Sequence, residues 1–189
     1  CTKNTEEAKK NLNEKLNFSY TEYTKAFINN FTSLDSSIIK GDSLIQFYDT
    51  LKYFYSSKNF EPVFIKSFED SEILYSLLIV LEKSVEHGLN PEHYHYSEIV
   101  NEFSKAVDTL SNPLRYSNLA KTELLLADAV LKYSYNLRYG LIDPRELFPD
   151  SYFLPIDDSS KGDLLQPFMQ ENLIEYLDAY RRERIRIYI

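Results

Sequence analysis

Three histidines, His87, His93 and His95, lie close together in the stretch Glu86-His87-Gly88-Leu89-Asn90-Pro91-Glu92-His93-Tyr94-His95-Tyr96, and the chain has no others. Imidazoles so close in sequence could hold a metal ion or relay protons to a nucleophile. A metal would need more than this stretch offers. His93 and His95 diverge on a helix; on a strand they share a face, but the third ligand would have to be His87 or Glu92. Proton relay needs a positioned nucleophile, and the only cysteine, Cys1, is 86 positions from His87. The turn chemistry is the stronger signal. Gly88 stands where a helix needs a left-handed residue after its end, Leu89 can make the apolar contact that accompanies such a stop, and Asn90-Pro91 opens a new element. The stretch reads as a hinge between packed helices with structural or surface histidines. No catalytic, cofactor-binding or metal-ligating residue is assigned, and no cofactor is expected.

A second group capable of chemistry is Asp128, four residues after Leu124 and three before Leu131, inside the apolar stripe of the strongest helical pattern. A carboxylate buried there needs donors, either tyrosine hydroxyls or the exposed amides of a neighbouring helix start. No second carboxylate shares its face within a turn, so the sequence assigns Asp128 a structural anchoring role. The third such group is Cys1 itself. The chain opens on its sole thiol, and its only methionine is Met169. In that position it resembles the lipid-bearing cysteine of a mature bacterial lipoprotein, which makes Cys1 the expected lipidation site and residues 1–11 a loose tether.

The elements that position these groups are helical. Of 189 residues only 4 are glycine, while Leu, Glu, Lys and Tyr abound, which favours helices over sandwiches or nucleotide-binding sheets. A formal charge of −8 offers no cationic field to phosphates, and the one dense cationic run is Arg181 to Arg186, so nucleic acid is not an expected partner. One cysteine rules out an internal disulfide. No apolar run approaches the ~20 residues of a membrane span, so any membrane attachment is expected through the lipid alone.

Apolar residues recur with helical spacing from Glu6 to Phe31 and from Leu44 to Tyr55, and a turn is expected at Ser56 to Pro62. Asp70 or Ser71 can cap a helix through Leu74 to Leu81, which is apolar almost all round and is expected to be central, ending at His87. Tyr96 to Leu110 predicts a helix with Ile99, Val100, Phe103, Val107 and Leu110 inward. Ser117 to Tyr139 predicts the strongest one, stopping at Gly140. Phe148 to Lys161 reads as an ordered loop. Leu164-Leu165-Gln166-Pro167 leads a last helix bearing Leu173, Tyr176, Leu177 and Tyr180, and the alternation in Arg184 to Ile189 predicts an edge strand or a segment awaiting a partner. The expectation is an all-α fold, a single compact multi-helix domain of about six helices over residues 12–189, with a flexible N-terminal tether.

Five of these segments, in order, resemble the helical scaffold domain of the large bacterial L,D-transpeptidases, which cross-link peptidoglycan stems. The resemblance runs from Leu44 to Tyr180. It rests on Phe54-Tyr55 with Asn59-Phe60-Glu61-Pro62-Val63-Phe64, on His87-Gly88-Leu89-Asn90-Pro91 with Tyr94, on Leu124 to Ala129 with Tyr133, Leu137 and Gly140, on Asp143-Pro144, and on Leu165-Gln166-Pro167. Phe64 stands where that family usually has Trp, and Lys58 fills an Arg position loosely. The family's chemistry resides in a separate catalytic domain with a Ser-x-Gly-Cys-type motif, which this chain lacks. The resemblance therefore implies a non-catalytic scaffold that supports a catalytic transpeptidase domain, in cis or in trans. It also implies peptidoglycan as partner and a periplasm-facing place in the cell envelope. The alternative is a lipid-anchored helical protein-binding module. The 16 Tyr and 12 Phe are expected mainly in the core, since most fall on helix stripes.

Overall fold

Helix α1 spans Tyr20–Ile38 and α2 spans Tyr48–Ser57. Then come α3, Glu72–Glu82, and α4, Tyr96–Asp108. The long α5 is Asn112–Tyr139, and α6 is Leu173–Ile187. The computed structural model describes residues 19–38, 45–65, 72–109, 111–141 and 164–187. Among these residues the fold is all-α, as the composition requires. The tether, Cys1, the Asp70/Ser71 cap and the Phe148 to Lys161 loop lie outside them. Packing divides the chain into two compact units, Cys1–Ala129 and Val130–Ile189.

In the first unit an aromatic cluster joins α1 to α2. Phe27 meets Tyr55 edge-on at 4.9 Å, and Phe31 packs on Tyr48 at 5.3 Å and on Phe60 at 5.7 Å. Helix α5 completes this core. Residues 122–129 are all buried, so within this unit α5, and not α3, is the central helix. Helix α3 buries only one stripe, Leu74, Leu77 and Leu81, and leaves Tyr75 and Ile79 more than half exposed. An apolar circumference is not enough to centre a helix: α3 is 11 residues long, whereas α5 runs for 28 and can be wrapped along its length. Helix α4 departs from expectation in the same way. Its buried face is Ile99, Glu102 and Ala106, and Val100 and Val107 are exposed.

The histidine stretch forms the expected hinge. Helix α3 tightens into a 3-10 turn, Lys83–His87, closed by Gly88 at φ 71°. The amide of Gly88 donates to the Val85 carbonyl and that of Leu89 to the Ser84 carbonyl, which satisfies the end of the helix, and Leu89 is buried. Asn90 then caps a second 3-10 turn, Pro91–Tyr94, its side chain accepting from the Glu92 amide. No heavy atom would meet a Cβ added at Gly88 within 4 Å, so the cost of Gly88→Ala comes from the left-handed backbone alone. It is expected to be about 1 kcal/mol in denaturant unfolding.

In the second unit, α6 follows a 3-10 turn at Gln166–Met169. It buries Leu173 and Leu177, with Tyr176 and Tyr180 half-buried and meeting edge-on at 5.0 Å. Over residues 184–187 the expected edge strand is not formed, because α6 continues through Ile187; residues 188–189 lie outside the described residues. Arginine and glutamate are good helix formers, and a short alternation carries too little strand preference to halt a helix already nucleated.

Candidate functional site

Glu123, in the buried stretch of α5, is 0% exposed and has both carboxylate oxygens engaged by donors. The turn after α2 brings the backbone to it. Asn59 and Phe60 adopt left-handed conformations, φ 53° and 57°, unfavourable for a bulky residue such as Phe60. The Phe60 amide is tied to the Tyr55 carbonyl at 2.7 Å. The chain is thereby reversed so that three successive amides face one carboxylate. Val63 N donates to Glu123 Oε1 at 2.6 Å, Phe64 N to Oε1 and Oε2 at 3.2 and 3.1 Å, and Ile65 N to Oε2 at 2.8 Å. The Tyr55 hydroxyl, from α2, adds a fourth donor to Oε1 at 2.8 Å. Successive backbone amides form a concavity suited to an anion, and here α5 supplies the anion from within.

Chemically this is a clamp. Both carboxylate oxygens are engaged by donors, and the side chain is closed to solvent, so Glu123 cannot reach a substrate. Burial pushes its carboxyl above the ordinary glutamate range, and the four donors offset part of that rise. The surrounding tyrosines respond in the same direction. Burial, then the Glu123 charge, holds the Tyr55 and Tyr23 hydroxyls well above their usual range, and burial with Glu61 and Glu123 lifts Tyr20 to about 12. Folded values above unfolded ones mean that the native state keeps these protons. Their contribution to stability is complete below the unfolded tyrosine value near 10 and is lost as pH rises beyond it. In a spectrophotometric titration, Tyr23 and Tyr55 should ionise only together with alkaline unfolding; their titration at ordinary tyrosine pH in the folded protein would contradict this environment.

Asp128, five residues further along α5, holds two other elements. Its Oδ1 accepts from the Phe47 amide at 2.8 Å, where α2 begins, and its Oδ2 lies 2.8 Å from His95 Nε2. Asp128 is fully buried and His95 nearly so. His95 itself is left-handed, φ 59°, at the junction between the 3-10 turn and α4, a conformation that His tolerates better than most residues. Asp128 therefore anchors, as the sequence suggested, and the helix-start amide was among the expected donors. A further partner is the His95 ring, which the sequence reading did not name.

The three histidines do not converge. His93 is exposed, His87 half-buried, and His95 turned to Asp128. Glu92 is bonded to Ser97 Oγ at 2.7 Å. Among the described residues no three His, Cys, Asp or Glu side chains are grouped to hold a metal ion. Cys1, the expected lipidation site, lies outside the described residues. Sequence reasoning missed Glu123. The available signal was an acid at the edge of the apolar run Leu124-Leu125-Leu126-Ala127.

The segment that Glu123 holds, Asn59 to Phe64, and the hinge beside His95 are two of the five segments that carried the resemblance to scaffold domains. No curated protein and no solved structure matches the chain. A protein-family model described as Scaffold domain matches residues 49–184, from the first turn of α2 into the last turns of α6. With that span covering most of its length, the chain belongs to the Scaffold domain family.

Proposed function

We propose that this chain is the non-catalytic scaffold of an L,D-transpeptidase-like protein, supporting a catalytic domain in peptidoglycan cross-linking and cell-wall remodelling. The observation that carries the reading is the Glu123 clamp. A buried carboxylate with both oxygens bound to backbone amides and a tyrosine fixes a loop and leaves nothing for turnover. The sequence agrees, since its one cysteine is at position 1 and no Ser-x-Gly-Cys motif supplies a thiolate. In this reading Cys1 carries a lipid, the protein faces the periplasm from a membrane, and its partners are peptidoglycan and a catalytic transpeptidase domain, in cis or in trans.

The test is chromatographic separation of muropeptides after incubation with the isolated chain, and with the chain joined to or mixed with its catalytic partner. The isolated chain should produce no cross-links and the combination should, in a manner that depends on the helices around His87 to Tyr94. Turnover by these 189 residues alone would overturn the proposal. A native N-terminus carrying an unmodified thiol, found by mass spectrometry, would remove the lipid anchor from it. The exposed Tyr75, Ile79 and Val107 favour a second reading, a binding module of the envelope. Failure of both the chain and its catalytic combination to bind peptidoglycan would select that reading.

A further inference from the structure

Helices α3 and α4 present an apolar ridge to solvent. Tyr75 and Ile79 on α3 are 54% and 52% exposed, and Val100 and Val107 on α4 are 40% and 50% exposed. Tyr75 joins the two stripes, meeting Phe103, which lies one turn from both valines, edge-on at 6.2 Å. An apolar stripe shared by two neighbouring helices is the surface that a third helix covers in a packed bundle. Its rim is acidic. Glu72 and Glu82 are the first and last residues of α3, and both are exposed. They fall on the stripe of Tyr75 and Ile79, three residues before the one and three after the other, and so stand about 15 Å apart along the helix. Over residues 72–108 six carboxylates are exposed against two lysines, Lys83 and Lys105, and Lys105 is already engaged by Glu102 at 2.6 Å.

This combination selects an occupant. A second copy would set one acidic rim against another, and an anionic lipid surface would meet the same repulsion. An apolar face flanked by cations matches both parts of the surface. We propose that the α3/α4 ridge docks a cationic amphipathic helix of another protein, its apolar face on Tyr75, Ile79, Val100 and Val107, with Lys or Arg side chains about three turns apart reaching Glu72 and Glu82. The stems of those side chains cover the edges of the ridge while their charged heads meet the carboxylates. The inference is independent of any role in cross-linking, because peptide binding reads the ridge without turnover.

The chain has no tryptophan, so a single Trp in a synthetic peptide reports binding by itself. The probe is an amphipathic peptide of about 18 residues, five helical turns, built from Leu, Ala and Lys with the Trp on its apolar stripe. One control replaces each Lys by Glu, and another scrambles the order. Titrated into the full chain, the Lys peptide should show a saturable blue shift of its emission, and both controls should bind at least roughly tenfold more weakly. Tyr75→Ser/Ile79→Ser should weaken the Lys peptide by roughly tenfold or more, with the helical circular dichroism unchanged. Glu22→Lys/Asp49→Lys, the same change of charge at exposed acids of α1 and α2, should leave it within about threefold. The decisive arm is Glu72→Lys/Glu82→Lys, which should lose the Lys peptide and gain the Glu peptide. Equal binding of the Lys and scrambled peptides, equal losses from the α1/α2 and ridge variants, or no exchange of charge preference would overturn the proposal. So would a dimer seen by light scattering, or binding to phosphatidylglycerol vesicles, that Tyr75→Ser/Ile79→Ser abolishes, since the ridge would then belong to a second copy or to lipid.

Discussion

Replacing Glu123 with alanine should destabilise the protein by on the order of 4 kcal/mol or more, the largest loss expected from any single side chain in the described structure. The reason is the number of groups left behind. Three amides and one hydroxyl that now donate to the carboxylate would face a cavity, and each buried donor without a partner costs roughly 1–3 kcal/mol before relaxation. A domain's total stability is commonly about 5–15 kcal/mol, so the variant is expected to be near or below its folding threshold. Two milder changes keep the test informative. Glu123→Gln preserves shape but turns an amide group toward donors and should cost about 2–3 kcal/mol; Tyr55→Phe removes one hydroxyl and should cost about 1–2 kcal/mol. Denaturant unfolding gives these values, and a loss below about 1 kcal/mol for Glu123→Ala would mean that the clamp does not hold the fold.

Asp128→Ala should cost roughly 1–3 kcal/mol. It releases the Phe47 amide at the start of α2 and the His95 ring at the start of α4, so two helix entries lose one common anchor. His95→Ala should cost less, since the Phe47 bond survives it. The two changes should be non-additive by about 1 kcal/mol, because each removes the same contact. Additive losses in a double-mutant cycle, or an unchanged melting temperature for Asp128→Ala, would show that the pair is incidental.

Local punctuation was the most legible part of the fold. Gly88, Asn90-Pro91 and the stop near Ser57 act through the backbone of their own neighbourhood, so their effect is encoded within a few residues. What failed was the choice of which apolar surfaces become covered. Leu74 to Leu81 looks more buried than the middle of α5, with its glutamate and aspartate, yet Ile79 is exposed and Glu123 is closed off. Burial depends on which helices wrap which, a long-range property that composition of a single helix does not contain. The site divides in the same way. Asp128 was found because it interrupts a recognisable stripe, and its helix-start donor follows from the rule that buried acids seek free amides. Glu123 is satisfied by residues about 60 positions away, and nothing local in the sequence announces that pairing. The terminal alternation from Arg184 misled because strand and helix periods cannot be separated over so few residues.

Amide hydrogen exchange at Val63, Phe64 and Ile65, compared between the natural chain and Glu123→Gln, tests most directly whether α5 works as the scaffold that fixes the loop after α2. These amides face no regular secondary structure of their own, so their protection depends on the carboxylate. The expected result is slow exchange in the natural chain and a loss of protection of at least roughly tenfold at these three positions in the variant, beyond that of amides at the middle of α5. Fast exchange at these amides in the natural chain, or equal protection in both proteins, would contradict it.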